Sequence, residues 1–144
     1  MFKHILVPTD GSDITHKAVD TAIALAKNLG ARVTGLSVEE PFPYAAISEM
    51  QPVPPQEFLD AQERLAKSHL VKIEESCAAA GVAFDGQCIE AAHPWEAIIE
   101  LAKTAECDLI VMASHGRRGL SAVLLGSETQ KVLTHTTIPV LVVR

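Results

Sequence analysis

Apolar residues along this chain follow two rhythms. Short runs of Val, Ile and Leu stand at residues 3–8, 32–38, 108–112 and 138–143, with a weaker one at 82–90 broken by Gly86. Between them, apolar residues recur every three or four positions. A short continuous run bounded by turn residues predicts a buried strand, and a 3.6-residue period predicts an amphipathic helix.

Residues 3–8 therefore predict a strand that closes at Thr9-Asp10-Gly11-Ser12. Ser12 is placed to cap a helix whose first turn holds Asp13. Ala18, Ala22, Leu25, Ala26 and Leu29 form its buried stripe, and Gly30 ends it. The strand at 32–38 follows at once. Strand, helix and strand with short joins make a βαβ unit, so the two strands run parallel. Residues 41–56 break the rhythm: Pro41, Pro43, Pro52, Pro54 and Pro55 are five of the chain's 8 prolines. This stretch predicts a long loop, read as a lid. Residues 57–80 predict a long helix stopped by Gly81, and 82–90 a third strand. His93-Pro94-Trp95 opens another helix, buried through Ile98, Ile99, Leu101 and Ala102. The strand at 108–112 runs into a small-residue loop, Ala113-Ser114-His115-Gly116. Ser127 and Gln130 have capping-box spacing for a short helix ending near His135, and 138–143 is the last strand.

The alternation is that of an α/β fold, a five-stranded doubly wound parallel sheet with helices on both faces. With strand order 3-2-1-4-5, the order reverses between the first and fourth strands. Pro8, Thr9 and Asp10 would then face Met112, Ala113 and Ser114 across one crevice, where such sheets hold ligands.

At 144 residues the chain reads as one domain, residues 1–144. A chain of that length buries roughly 70% of the surface it exposes when unfolded, enough for a core without staples. Only 4% of residues are aromatic, so the core is aliphatic. A net charge of −6 argues against a nucleic-acid partner. It does not oppose a small anion, because the local field dominates beside a pocket. Cys77, Cys88 and Cys107 are isolated and odd in number, which suits reduced thiols in the cytoplasm and neither a disulfide framework nor a zinc site. No apolar run nears the roughly 20 residues that cross a bilayer, so no membrane insertion is expected. The apolar run after Met1 is too short for a signal peptide.

Residues 108–133 carry the candidate chemistry. Strand, glycine loop and helix N-terminus in that order make an anion site: glycine admits close approach, and the first helical N–H groups point outward. There is no GxxxxGK[ST], no GxGxxG after the first strand and no GxSxG. What is present is Gly116, nine residues, then Gly126-Ser127.

On these residues the chain resembles the universal stress proteins, whose nucleotide-binding members carry G-x2-G-x9-G-[ST] after the fourth strand. The likeness extends to Ile5-Leu6-Val7-Pro8-Thr9-Asp10-Gly11-Ser12, to Asp108-Leu109-Ile110-Val111-Met112 and to Pro139-Val140-Leu141-Val142-Val143. It implies an adenine-nucleotide alpha-hydrolase-like fold and a stress-response regulator that binds ATP, with AMP or ADP as alternatives. Magnesium or manganese would bridge the phosphates. Gly116, Gly126 and Ser127 would cradle the phosphates, with Gly119, Met112 and Glu128 beside them. Asp10 would meet the ribose, the adenine or the metal, and Val38 would meet the adenine edge through its backbone. Pro8 and Thr9 would wall that side. The resemblance also implies a homodimer through the last strand, residues 138–143 (Ile138 to Val143).

One position departs from the pattern: Ala113 stands at the motif's first glycine. If that position needs φ > 0, alanine costs about 1 kcal/mol or more; if it needs only a small side chain, nothing is lost. The alternative function is a dimeric interaction module of the same family that does not retain ATP. Arg117 and Arg118 are placed either to neutralise phosphate or to be solvated. Asp10 is also an ordinary turn former, and Ser127 an ordinary cap. His115 is a lone loop histidine, and no histidine has metal-ligand spacing. No catalytic residue and no protein metal ligand are assigned, so fast enzymatic turnover is not expected. An ATP pyrophosphatase would show SGGxDS after the first strand, and Pro8-Thr9-Asp10-Gly11-Ser12-Asp13 does not fit it.

Overall fold

The structure, a computed structural model, describes residues 1–42, 55–116 and 124–144. The expected lid falls largely outside these residues. The elements are β1 His4–Thr9, α1 Asp13–Leu29, β2 Arg32–Glu39, α2 Gln56–Ala80, β3 Phe84–Glu90, α3 Pro94–Thr104, β4 Leu109–Ala113, α4 Ser127–His135 and β5 Val140–Val143. The five strands form one parallel sheet in the order β3-β2-β1-β4-β5.

Alternation along the central strands assigns the helices to faces. Ile5, Val7, Leu109 and Val111 pack with Ala18, Ala22 and Ala26 of α1 and with Leu70, Ile73 and Cys77 of α2. Leu6, Leu36, Ile110 and Met112 pack with Ile98 and Ala102 of α3 and Val132 of α4. β1 and β4 are buried on both faces, which is why they read as continuous apolar runs.

Among the boundaries that differ from the sequence reading, three have a clear local reason. Val82 precedes β3 because its N–H bonds the Cys77 carbonyl (2.9 Å) while that of Gly81 bonds Ala78 (3.1 Å). This is a Schellman cap with Gly81 at φ 71°. β5 starts at Val140 because Ile138 N–H is taken by the Thr136 hydroxyl at 3.1 Å and Pro139 has no N–H. α4 is capped by Gly126, not by Ser127, which is its first helical residue. The expected capping box is therefore absent: the Gln130 amide donates instead to the Leu125 carbonyl at 2.9 Å.

The amino ends of β1 and β4 are clamped by Asp108. Its carboxylate accepts the N–H groups of Lys3 (2.8 Å) and His4 (3.0 Å). Burial pushes this carboxyl up, but the two amide donors outweigh that and hold it below the ordinary carboxylate value.

Candidate functional site

The crevice opens where β1 and β4 separate. β1 pairs with β2 over six residues but with β4 only at Ile5↔Leu109 and Leu6↔Ile110. Pro8 follows that separation. It has no N–H to give a ladder, and it lies where β4 no longer requires one. Its position in a central strand is thus compatible with the sheet, although the sequence reading ended the strand there.

The turn after β1 is built by hydroxyls and one carboxylate. Thr9 is buried, and its Oγ1 accepts the Gly11 N–H at 3.1 Å. Asp10 Oδ1 accepts from Ser12 N–H at 2.9 Å and lies 3.1 Å from Thr15 Oγ1. Asp10 is therefore a turn former. Its other oxygen, Oδ2, faces the β4 loop: a Cβ built on Gly116 would stand 2.6 Å from it. Two turns far apart in sequence meet at this point, and only glycine at residue 116 admits the contact.

The β4 loop is held from both sides. Ser114 N–H donates to Val143 (2.8 Å), and the Ser114 carbonyl accepts the Gly126 N–H (2.7 Å). Thr129 Oγ1 donates to the Ala113 carbonyl at 3.0 Å. These bonds seat the N-terminus of α4 against the loop. A Cβ on Gly126 would lie 3.1 Å from His115 Cα and 3.3 Å from the Ser114 carbonyl oxygen, so a side chain there would require the loop to give by a few tenths of an ångström. A glycine cap has no side chain to satisfy the N–H groups of Ser127, Glu128 and Thr129, and the helix geometry gives them no carbonyl. A helix end of this kind can receive an anion.

Ala113 lies inside β4 and is buried, and among the described non-glycine residues only Glu106 has positive φ. The case of φ > 0 raised above does not arise at Ala113, and the departure brings no backbone strain. Met112 is buried in the face covered by α3 and α4. Val38 sits one residue beyond the last β1–β2 pair, Thr9↔Ser37, so the β1 ladder no longer reaches it. Arg117, Arg118 and Gly119 lie outside the described residues.

Glu128 has a partner that no motif suggests. Its Oε2 accepts the Trp95 N–H at 2.8 Å, placing a carboxylate at the N-terminus of α3. The Trp95 ring lies 4.6 Å from that of His135. The other residue missed by the sequence reading is His69 of α2. Its ring occupies the space where a Cβ of Gly11 would be, with Nε2 2.3 Å from that position. Neither spacing nor periodicity signals a contact between residues so far apart.

Ser114 Oγ lies 3.0 Å from His115 Nδ1. The serine is only 3% exposed, and among the described residues no carboxylate bonds the histidine. The pair lacks the open nucleophile and oriented base of covalent catalysis. Among the described residues no three His, Cys, Asp or Glu side chains converge to hold a metal, and no helix is long and apolar enough to cross a membrane.

A sequence model described as the universal stress protein family matches residues 1–144. A universal stress protein of Bacillus subtilis, YxiE, is 36% identical over 149 aligned positions, covering 100% of each chain. The structure of UspA from Lactobacillus plantarum superposes with a TM-score of 0.82 at 27% identity, covering 99% of this chain and 98% of that one. A universal stress protein in complex with cAMP superposes at 0.76 and 24% identity, covering 99% and 97%, a likeness of fold alone.

Proposed function

The chain belongs to the universal stress protein family, and from that premise we propose that it is a regulatory protein that binds an adenine nucleotide in the crevice between β1 and β4. The observation that carries this reading is the glycine-capped N-terminus of α4 seated beside the Asp10–Gly116 contact. It offers N–H donors and a positive helix end to phosphate, with a carboxylate across the crevice. A relative of the same fold is described with cAMP bound, which supports the adenine class.

ATP is the first choice, with AMP and ADP as alternatives. Gly116, Gly126 and Ser127 take the phosphates, and Pro8, Thr9, Asp10 and Val38 line the nucleoside side. Magnesium or manganese accompanies the phosphates. Occupancy, not turnover, is the output. Of the three cysteines read as buried thiols, Cys77 and Cys107 are buried and Cys88 is exposed; burial pushes Cys77 and Cys107 up to about 11, so neither is a ready thiolate.

The protein works as a homodimer through β5. This strand is one of the two edges of the sheet, and Leu141 is exposed on it.

Calorimetric titration of nucleotide-stripped protein with ATP plus magnesium, and separately with AMP, tests the pocket. Micromolar affinity, roughly 8 kcal/mol, lost in Gly126→Val, is the expected result. No heat and no thermal shift with either ligand would favour the second reading, a dimeric module whose function lies on its surface.

A further inference from the structure

α2 has two parts. From Ala66 onward it carries buried side chains: Ala66, Leu70, Ile73 and Cys77. Before Ala66, from Gln56 to Leu65, no side chain is buried. His69 stands just inside the buried part and is packed on the turn that leaves β1. Three of its ring atoms, Nε2, Cδ2 and Cε1, lie 2.3, 2.7 and 2.8 Å from where a Cβ of Gly11 would be. Its Nδ1 is shut off from solvent. Gly11 itself has φ +76°, so this residue is glycine both for its backbone and for the room it leaves the ring.

Gly11 sits between Asp10 and Ser12, and the Ser12 N–H fixes Asp10 Oδ1. Movement of residue 11 therefore moves the carboxylate that faces Gly116. The ring of His69 limits that movement because any shift of Gly11 toward α2 meets it.

We propose that His69 is a positioning residue of the nucleotide crevice, acting through Gly11 on Asp10, so that α2 forms part of a site otherwise assigned to β1, β2, β4 and α4. This rests on the nucleotide-binding reading above. It adds a residue and an element to it, and gives α2 a direct contact through which occupancy of the crevice is felt.

The test is a double-mutant cycle read by calorimetry with ATP plus magnesium, using full-length wild type, His69→Ala, Asp10→Asn and the double variant, with Gly126→Val as the null for the pocket. His69→Ala is expected to weaken binding about tenfold. The double variant is expected to bind no more weakly than the weaker single variant, since the two residues act in one chain of contacts. A packing role confined to stability would lower the melting temperature without this coupling. Should His69→Ala melt early, His69→Gln asks the same question with less loss of packing, and a loss of affinity in the same direction is expected. Unchanged affinity in both His69→Ala and His69→Gln, or full additivity with Asp10→Asn, overturns the proposal while leaving the pocket in place. Absence of binding by the wild type overturns both.

Discussion

The carboxylate of Asp10 lies where a side chain at residue 116 would have to go: a Cβ on Gly116 would be 2.6 Å from Oδ2. The closeness follows from topology. β1 and β4 are neighbours in the sheet but stop pairing after Leu6↔Ile110, so their following turns close over the gap. Gly116→Ala is expected to displace Asp10 and to weaken nucleotide binding about tenfold, with a stability cost of about 1–3 kcal/mol from overpacking. Ala113→Gly, the change that restores the family motif, is expected to leave affinity within about twofold, because strand backbone gives glycine no advantage. Titration and thermal melts of the two variants side by side check both statements.

Glu128 bears on α3 more than on the crevice, because its Oε2 accepts the Trp95 N–H. Glu128→Ala is expected to cost about 1 kcal/mol of stability, the usual value of a lost helix-end acceptor. Nucleotide affinity should stay within about threefold, since in the proposed site the phosphates would call on the backbone of α4 and not on this side chain. Trp95 is the only tryptophan, so its emission reports the loss of the contact during the same melt.

His4 sets a pH dependence. It is buried between strands with Nε2 2.7 Å from Thr34 Oγ1. Burial, aided by the charge of Arg32, lowers its pKa below the ordinary 6.5 despite Asp108 and Asp85 nearby. A folded-state value below the unfolded one means that the unfolded chain binds the proton more readily. The stability His4 contributes is present in full above pH 6.5 and is lost as pH falls through the folded value. Asp108 has the matching sign at lower pH, keeping its contribution above 3.8 and losing it as pH falls through its own folded value. Denaturant melts across this range should show stability declining below pH 6.5, with the first part of the decline absent in His4→Gln.

Leu141 is 39% exposed on an edge strand of the sheet. Leu141→Lys places a charge on that edge, which is how unpaired strands are kept from pairing. Light scattering at micromolar concentration should give a dimer for the wild type and a monomer for the variant, whose melting temperature should also lose the concentration dependence that association gives the wild type. A monomeric wild type would remove the edge-pairing reading.

Much of this architecture is local in origin and was legible in the chain. Continuous apolar runs at 3–8 and 108–112 announce strands buried on both faces, because helices cover both faces of the sheet over its central strands. Gly30 and Gly81 announce helix ends, because each takes the left-handed conformation that other residues avoid. The alternation of elements then leaves few topologies, and the crevice between the first and fourth strands follows from their order. Gly116 and Gly126-Ser127 were legible as a spaced motif.

What tertiary structure decided depends on contacts between residues distant in sequence. Ala113 could not be weighed until it was seen in extended backbone inside β4. Ser127 looked like a cap because spacing cannot show which residue leaves the helix first, and Gly126 took that place where the chain turns against Ser114 and His115. Glu128 meets Trp95, Asp108 meets Lys3 and His4, and His69 meets Gly11 only because the sheet brings their elements together. Periodicity records which face of an element is buried, but it carries no information about which side chain lies on the other side of that burial. The chain by itself determined strands, helices and the place of the crevice; packing alone decided which groups stand around it.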